Sequence, residues 1–551
     1  LLDYLGIAYK LVTLVDTITQ FAVIILGALG FSLPFGLYIA RMISFELRPL
    51  EKPLAKVERG FFKLIGIDAD KQMTWKQYFL AVFTTSVISI LFVILVLSFQ
   101  NYLPSSQHVN GLSIDLAFHT ATSFITNTDL QHYVGENQLS ILSQMIALTF
   151  AMFIAPAIGI ATAFAFIRGF IRKNFGLGNF YVDFVRVIIT LLLPVAFISS
   201  LLLMITGVPQ TLNSSVTINT IEGNNQTISM GPVASLESIK ELGENGGGFF
   251  GANSAHPFEN PTGLSNTYEM FLMIVIPLSF PIAYAKLLGK GRGISILAII
   301  LIGFGGLLVF GIYTHPASSL IETRFGSFSS TLFNMISIAS NTGAINASLA
   351  GMTPNAVISF LVSMFVQALP GGAGTGMVYM LVYVLLTLFV VGLMVGKTPE
   401  FMGMKISPKD VKIAMFIFLV HPALILIPTA IAFTTGNAQV IIGEKVTPLG
   451  YTQTFYEFTS AAANNGSDYF GASANTPFWN WSTGIIVFLG RYIPIGLMLV
   501  IAGSFSSKDR KEVIEPIKTK GLTFVSIVLV VTFLLTALAF FPFLVIGPFS
   551  M

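Results

Sequence analysis

Apolar residues run along this chain in blocks long enough to cross a bilayer, parted by short polar segments. A spanning helix needs about 20 apolar residues. Ten blocks meet that length, near residues 18–40, 77–99, 138–167, 184–206, 268–287, 294–314, 356–395, 411–434, 483–503 and 522–546. The seventh is too long for one straight span. Pro370, Gly371, Gly372, Gly374 and Gly376 interrupt it, which predicts a discontinuous helix with a loop in its middle. Composition agrees: 54% of the 551 residues are hydrophobic and only 10% charged, against about 25% charged in a soluble domain. The pattern predicts an all-α polytopic membrane protein with ten transmembrane helices. Arg41 follows the first block with no small-residue cleavage pattern, so that block reads as a retained helix rather than a signal peptide.

The basic residues give the orientation. Eight Lys and Arg lie from Arg41 to Lys76. Further clusters are Arg168, Arg172, Lys173 and Arg186; Lys286, Lys290 and Arg292; Lys397, Lys405, Lys409 and Lys412; and Lys508, Arg510, Lys511, Lys518 and Lys520. Ten spans put every cluster on one side, which the positive-inside rule makes cytoplasmic. Both termini then lie outside. The net charge of +3 is small and its placement matters more than its sign; no nucleic-acid partner is expected, and membrane lipid is the expected surrounding. Without cysteine there is no disulfide, thiolate metal site or thiol catalysis.

Four polar windows interrupt the apolar pattern: Asn127-Thr128-Asp129, Asn245-Gly246-Gly247, Asn341-Thr342-Gly343 and Asn465-Gly466-Ser467. A stretch of 11–13 residues precedes each, roughly 113–125, 233–244, 328–340 and 452–464. Eleven residues make about 16 Å of helix, enough to reach mid-membrane. Cap-type or acidic residues open each stretch: Ser113 and Asp115, Ser235 and Glu237, Ser327 and Ser329, Thr454 and Glu457. The unit of helix, pore helix, window and helix thus recurs four times, predicting four helix–pore-loop–helix repeats around a pseudo-fourfold axis. Repeats two and four also share sequence: Asn245–Asn260 and Asn465–Asn480 align without a gap and are identical at eight of sixteen positions. The units read as an N-terminal helix and loop at 1–76, pore repeats at 77–175, 176–290, 291–405 and 406–510, and a C-terminal helix at 511–551.

Unwound backbone at membrane depth must be buried in protein or line a watery path, and rings of backbone carbonyls dehydrate and select cations. The windows therefore read as one cation filter, although glycine and asparagine also serve close helix packing. The TVGYG sequence of potassium-channel filters is absent, and window one has no glycine from Ser123 to Leu130. Asp129, Glu241, Glu244 and Asp468 stand beside the windows and would concentrate cations at an outer mouth, with Glu241 reading instead as a solvated loop charge. Arg491 lies within the ninth span, where a charge reads as functional by default or else snorkels or pairs with an acid. The six histidines lack metal-ligand spacing. Gly392–Thr398 is one residue short of a P-loop and there is no Asp-Lys-Thr-Gly phosphorylation sequence, so any ATP is used by another chain. No nucleophile–base pair supports a membrane enzyme. The glycines after Pro370 read as a plug below the filter, or else as a packing kink.

Gly243–Asn260 (GENGGGFFGANSAHPFEN), Thr398–Gly403 (TPEFMG), Asn464–Ser467 (NNGS) and Thr126–Asp129 (TNTD) resemble the potassium-binding subunit (KdpA) family of bacterial potassium-transporting P-type ATPases, in order along the whole chain. The resemblance implies a potassium transporter of the bacterial plasma membrane and a filter at Asn127–Gln131, Asn245–Phe249, Asn341–Ile345 and Asn465–Tyr469. Potassium would fall to Thr126, Asn127, Thr128, Asp129 and Gln131; to Asn245, Gly246, Gly247 and Gly248; to Asn341, Thr342, Gly343 and Ala344; and to Asn465, Gly466 and Ser467. The only cofactor implied is the potassium ion, with no organic cofactor. The implied partners are a P-type ATPase subunit that receives potassium through an intersubunit tunnel, a single-span periplasmic subunit and a small single-span peptide. The broken seventh span resembles the family's gating loop. Leu369-Pro370, Asp129-Leu130 and Asp468 depart from the family pattern. A passive or ion-coupled potassium channel of the same superfamily is the alternative, opposed by the Gly243–Asn260 stretch.

Overall fold

Among the described residues of the computed structural model, ten helices are long and apolar enough to cross a membrane, and they fall on the ten predicted blocks. The structure describes residues 2–45, 52–64, 66–104, 109–171, 176–313, 324–510 and 517–546. Arg48, Arg172, Lys173 and Lys511 of the basic clusters lie outside the described residues. Helix α1 (Leu2–Ile43) starts well before the predicted block, and a short amphipathic helix α2 (Lys52–Leu64), missed from sequence, follows it.

The repeats then follow one another. Repeat one comprises α3 (Trp75–Ser98), the half-length α4 (Ile114–Ile125) and α5 (Ile141–Arg168). Repeat two comprises α6 (Phe180–Thr206), half-length α7 (Val233–Leu242) and α8 (Gly263–Leu288). Repeat three comprises α9 (Lys290–Ile312), half-length α10 (Gly326–Ala339) and a broken helix, α11 (Pro354–Val366) and α12 (Thr375–Met394). Repeat four comprises α13 (Pro408–Thr434), half-length α14 (Pro448–Ala463) and α15 (Pro477–Ser506). Helix α16 (Leu522–Ile546) ends the described chain.

Burial separates the two long helices of each repeat. In the second helices, 61–89% of the most apolar window is buried, against 28–44% in the first helices. The second helices therefore wall the centre. Helix α1 packs on α8, and α16 on α9, α11 and α12, so the two extra spans flank repeats two and three.

The expected caps of the half-length helices are corrected. Ser113 sits at the N-cap of α4 without a side-chain cap bond. Ser235 lies inside α7, its amide held by Gln210 Oε1 at 2.9 Å. Helix α10 already begins at Gly326, ahead of Ser327 and Ser329. Thr447, not Thr454, caps α14. Tertiary partners and chain-breaking residues set these starts, and short polar residues inside a helix mimic caps in sequence. The fold is also not purely helical. Exposed strands β1 (Ser215–Asn219) and β2 (Asn225–Ser229) form an antiparallel hairpin between α6 and α7, pairing Ser215 with Ser229 and turning at Gly223 with φ 82°. Its alternating Ser-Val-Thr-Ile-Asn run carries the strand signal.

Hydrogen bonds tie the basic clusters together on one face. Arg168 donates to Ile43 O at 2.8 Å and Met42 O at 3.2 Å, Arg510 to Phe170 O and Ile171 O, Lys508 to Lys405 O, and Arg292 to Thr519 Oγ1. On this face Arg168 grips Asp183 with two bonds of 2.6 and 2.9 Å, and Tyr78 donates to the same carboxylate at 3.0 Å. Both charges are buried, so removing one strands the other. Arg168→Met is expected to destabilise the fold by about 3–5 kcal/mol and to lower the melting temperature in detergent. Arg168→Met with Asp183→Leu is expected to recover most of that loss. Equal melting of wild type and single variant would show that the pair does not anchor the fold.

Candidate functional site

The four half-length helices end in the same way. In each, an amide reaches back five residues to close the last turn: Thr128 to Ser123 O (3.0 Å), Asn245 to Lys240 O (2.8 Å), Thr342 to Ser337 O (2.8 Å) and Asn465 to Ser460 O (2.9 Å). The residue before each donor is left-handed: Asn127, Glu244, Asn341 and Asn464, with φ of 55–61°. This is the Schellman ending of a helix, where glycine or asparagine is usual. It fixes the alignment of the windows. Asn127 and Asn341 correspond to Glu244 and Asn464, so the predicted equivalence of Asn127 and Asn341 with Asn245 and Asn465 is one residue out. The next row reads Thr128, Asn245, Thr342, Asn465. The row after reads Asp129, Gly246, Gly343, Gly466, all left-handed. Asp129 (φ 50°) thus stands where the other windows have glycine, which explains why window one lacks one; aspartate is among the few residues that tolerate this conformation.

The windows close into a ring. A Cβ on Gly246 would strike Thr342 O, one on Gly343 would strike Asn465 O, and one on Gly466 would strike Thr128 O. Asn127 Nδ2 joins window one to window two through Gly243 O (3.2 Å) and Glu244 O (2.5 Å). Asn341 Nδ2 reaches Ala463 O of repeat four at 3.1 Å, and Asn464 Nδ2 returns to Thr128 Oγ1 at 2.9 Å. Gln131 adds a two-way clamp, donating to Gly248 O at 3.0 Å and accepting from Gly248 N at 2.9 Å. Gly247 is not left-handed. It is needed for room, because a Cβ there would come within 2.7 Å of both Asp129 Cβ and the Phe124 ring.

Thr128, Asn245, Thr342 and Asn465 are fully buried. Among the described residues, no hydrogen bond ends on any of their four carbonyl oxygens. Their side chains are engaged. Thr128 and Thr342 hydroxyls bond Thr126 and Ser340 at 2.8 Å, while Asn245 and Asn465 amides donate to Met152 O, Ile239 O and Ile338 O. A buried carbonyl without a donor is rare and costly. Four such oxygens at equivalent positions of one ring are chemically able to hold a cation that has shed its water. Thr126 and Ala344 flank this row as buried supports.

The loop of the broken helix lies against the ring. Gly371 donates to Ala339 O at the end of α10 at 2.9 Å. Gly374 (φ 79°) packs on α5, where a Cβ would meet Gly159 O at 2.9 Å. Pro370, Gly371, Gly372, Gly374 and Gly376 are all buried. Arg491 neither snorkels nor forms an ion pair with a described acid. It is buried beside this loop, donates to Ala155 O at 3.2 Å, and has Glu244 within coulombic range.

The acids divide differently than expected. Glu241 is not a solvated loop charge but is fully buried. The Lys240 ammonium contacts Glu237 (3.0 Å), Glu241 (3.3 Å), Glu259 (2.8 Å) and Ser254 (2.8 Å), and Glu259 accepts from Phe250 N, so this cluster braces window two from behind. Glu237, Glu241 and Glu269 come within 4.8 Å of one another, with Lys240 among them. Glu244 lies at the buried end of α7, not at an outer mouth. His119 and His132, far apart in charge pattern, stack at 3.8 Å behind window one and bond to Leu130 O, Asn480 and Glu457. Sequence reasoning missed Glu244 and Asn464 as ring residues; the repeated helix ending is the signal that finds them.

The crystal structure of the potassium transporter TrkH from Vibrio parahaemolyticus shares this fold, with a TM-score of 0.53 at 14% identity over 88% of this chain and 98% of that one. A family model described as the potassium-transporting ATPase A subunit matches residues 22–550. A match over nearly the whole sequence places the chain in the KdpA family, the potassium-binding A subunits of potassium-transporting ATPases.

Proposed function

We propose that the four windows form the selectivity filter, with the carbonyls of Thr128, Asn245, Thr342 and Asn465 as its central row. The observation that carries this reading is the set of four buried carbonyls without donors. Potassium, weakly hydrated for a cation, exchanges its water for such oxygens. The braces behind the ring, from Gln131–Gly248 to the Lys240 cluster, keep the row from collapsing onto a smaller ion. The half-length helices add the negative ends of their dipoles at the same place.

Charge placement supports a cytoplasmic basic face, with potassium entering from the opposite side and both termini there. The repeats are then 77–175, 176–290, 291–405 and 406–510. The chain carries no nucleotide or phosphorylation motif, so a P-type ATPase subunit supplies the energy, joined by the single-span periplasmic subunit and the small single-span peptide. The buried loop at Pro370–Gly376 is the plug that keeps accumulated potassium from running back. A passive channel would have no use for it.

Gly343→Ala forces a side chain into the left-handed region and onto Asn465 O, a strain of about 1–2 kcal/mol before the collision is counted. The half-saturating potassium concentration for uptake is expected to rise about tenfold or more, with rubidium and sodium less well excluded. Unchanged affinity and selectivity would remove the filter reading. Shortening Gly371–Gly376 is expected to raise potassium leak from liposomes in the absence of ATP; a folded, fully assembled variant that stays tight would make the loop structural. The chain purified alone is expected to hydrolyse no ATP, with potassium-stimulated hydrolysis returning when the ATPase subunit is added.

A further inference from the structure

The first row of the ring is three-quarters uniform. Asn127, Asn341 and Asn464 each occupy the left-handed helix ending, and each spends its side-chain amide on the next repeat. The fourth member is Glu244, and an ionised carboxylate has no proton to donate to the next repeat. Glu244 is fully buried and neither of its carboxylate oxygens has a hydrogen-bond partner. The amide of Ala373 in the loop faces it but falls outside bonding geometry. The other ends of the two adjacent asparagines are free in the same way: Asn127 Oδ1 and Asn341 Oδ1 are buried without partners.

The residues that carry these oxygens are neighbours. Glu244 O lies 2.5 Å from Asn127 Nδ2. A methyl on Gly372 would stand 3.5 Å from Asn341 Cβ and 3.7 Å from a Glu244 carboxylate oxygen. The group therefore sits between the carbonyl row and the loop. Arg491, within coulombic range of Glu244, is too far for an ion pair and spends one nitrogen on Ala155 O. A buried carboxyl that makes no hydrogen bond and has its nearest cation too far for an ion pair suits a cation of its own.

We propose that Glu244, with the side-chain oxygens of Asn127 and Asn341, forms a second binding site for a monovalent cation between the carbonyl row and the Pro370–Gly376 loop. The inference rests on the filter reading, since the ion arrives from the carbonyl row. It deepens that reading by giving the ion a place to rest after the row and before the loop. Glu244 then governs the rate at which ions leave the row. It does not govern how tightly the row selects them.

The test uses the assembled complex with thallium as a potassium substitute, located by its anomalous scattering. Two substitutions are informative. Glu244→Gln keeps the shape, and Glu244→Asn completes the row of asparagines; both add an amide donor and remove the charge. In the wild type, thallium is expected at the carbonyl row and beside Glu244. In either variant the second peak is expected to vanish while the first remains. Maximal potassium uptake is expected to fall about tenfold or more, with little change in half-saturating potassium. Thallium on the row but none beside Glu244 in the wild type would overturn this proposal and leave the filter reading intact. So would a Glu244→Gln complex with wild-type turnover, because the carboxyl would then be acting as an uncharged clamp like its three counterparts. No thallium on the carbonyl row would overturn the filter reading, and this proposal with it.

Discussion

A buried backbone carbonyl without a donor is expensive anywhere and most expensive at membrane depth, where no water makes up the loss. This chain presents four such carbonyls in one ring, on Thr128, Asn245, Thr342 and Asn465. Much of the surrounding architecture answers to them. Half-length helices are what deliver backbone to that depth and then leave it unpaired. The left-handed helix ending turns the chain out of helical bonding at the same point in all four repeats. Glycine at Gly246, Gly343 and Gly466 lets each neighbouring window approach closely enough to close the ring.

Such a ring cannot hold itself open. The side chains around it are spent on that task. Asparagines bond window to window, Gln131 locks Gly248 in both directions, and the buried Lys240 cluster fixes the return of window two through Glu259. Buried charge networks of this kind add little net stability but hold one geometry firmly, because any rearrangement strands a charge. That property would suit the proposed filter.

The fourfold pattern is broken at particular places. Asp129 replaces a glycine and is accommodated by the missing side chain of Gly247. Glu244 replaces an asparagine and brings a buried, unpartnered carboxyl group to the side of the ring facing the broken helix. Among the described residues, only repeat three has its second helix divided, and only there does a loop fold back against the ring, through Gly371 and Ala339. A symmetric channel needs none of these departures. Under the proposed function, a subunit that passes a cation onward and blocks its return would need such an asymmetry.

Ten spans, the broken seventh helix, the four windows and the shared basic face were legible in the sequence, because each rests on composition over many residues. Hydrophobic length fixes a span, and Pro370 with its following glycines fixes a break, whatever the neighbours do. The specific Gly243–Asn260 stretch carried the family. What the sequence misplaced was local and relational. Asn127 and Asn245 look equivalent because they are both asparagine, yet the helix endings put Asn127 opposite Glu244. Glu241 looks solvated on a polar segment, yet the fold buries it beside Lys240. Ser235 and Thr454 look like caps, yet they lie inside helices. In each case the residue's role depends on which groups from distant repeats surround it. Only tertiary structure decides that, because the carbonyl, carboxylate or ammonium that completes a site comes from a segment tens or hundreds of residues away.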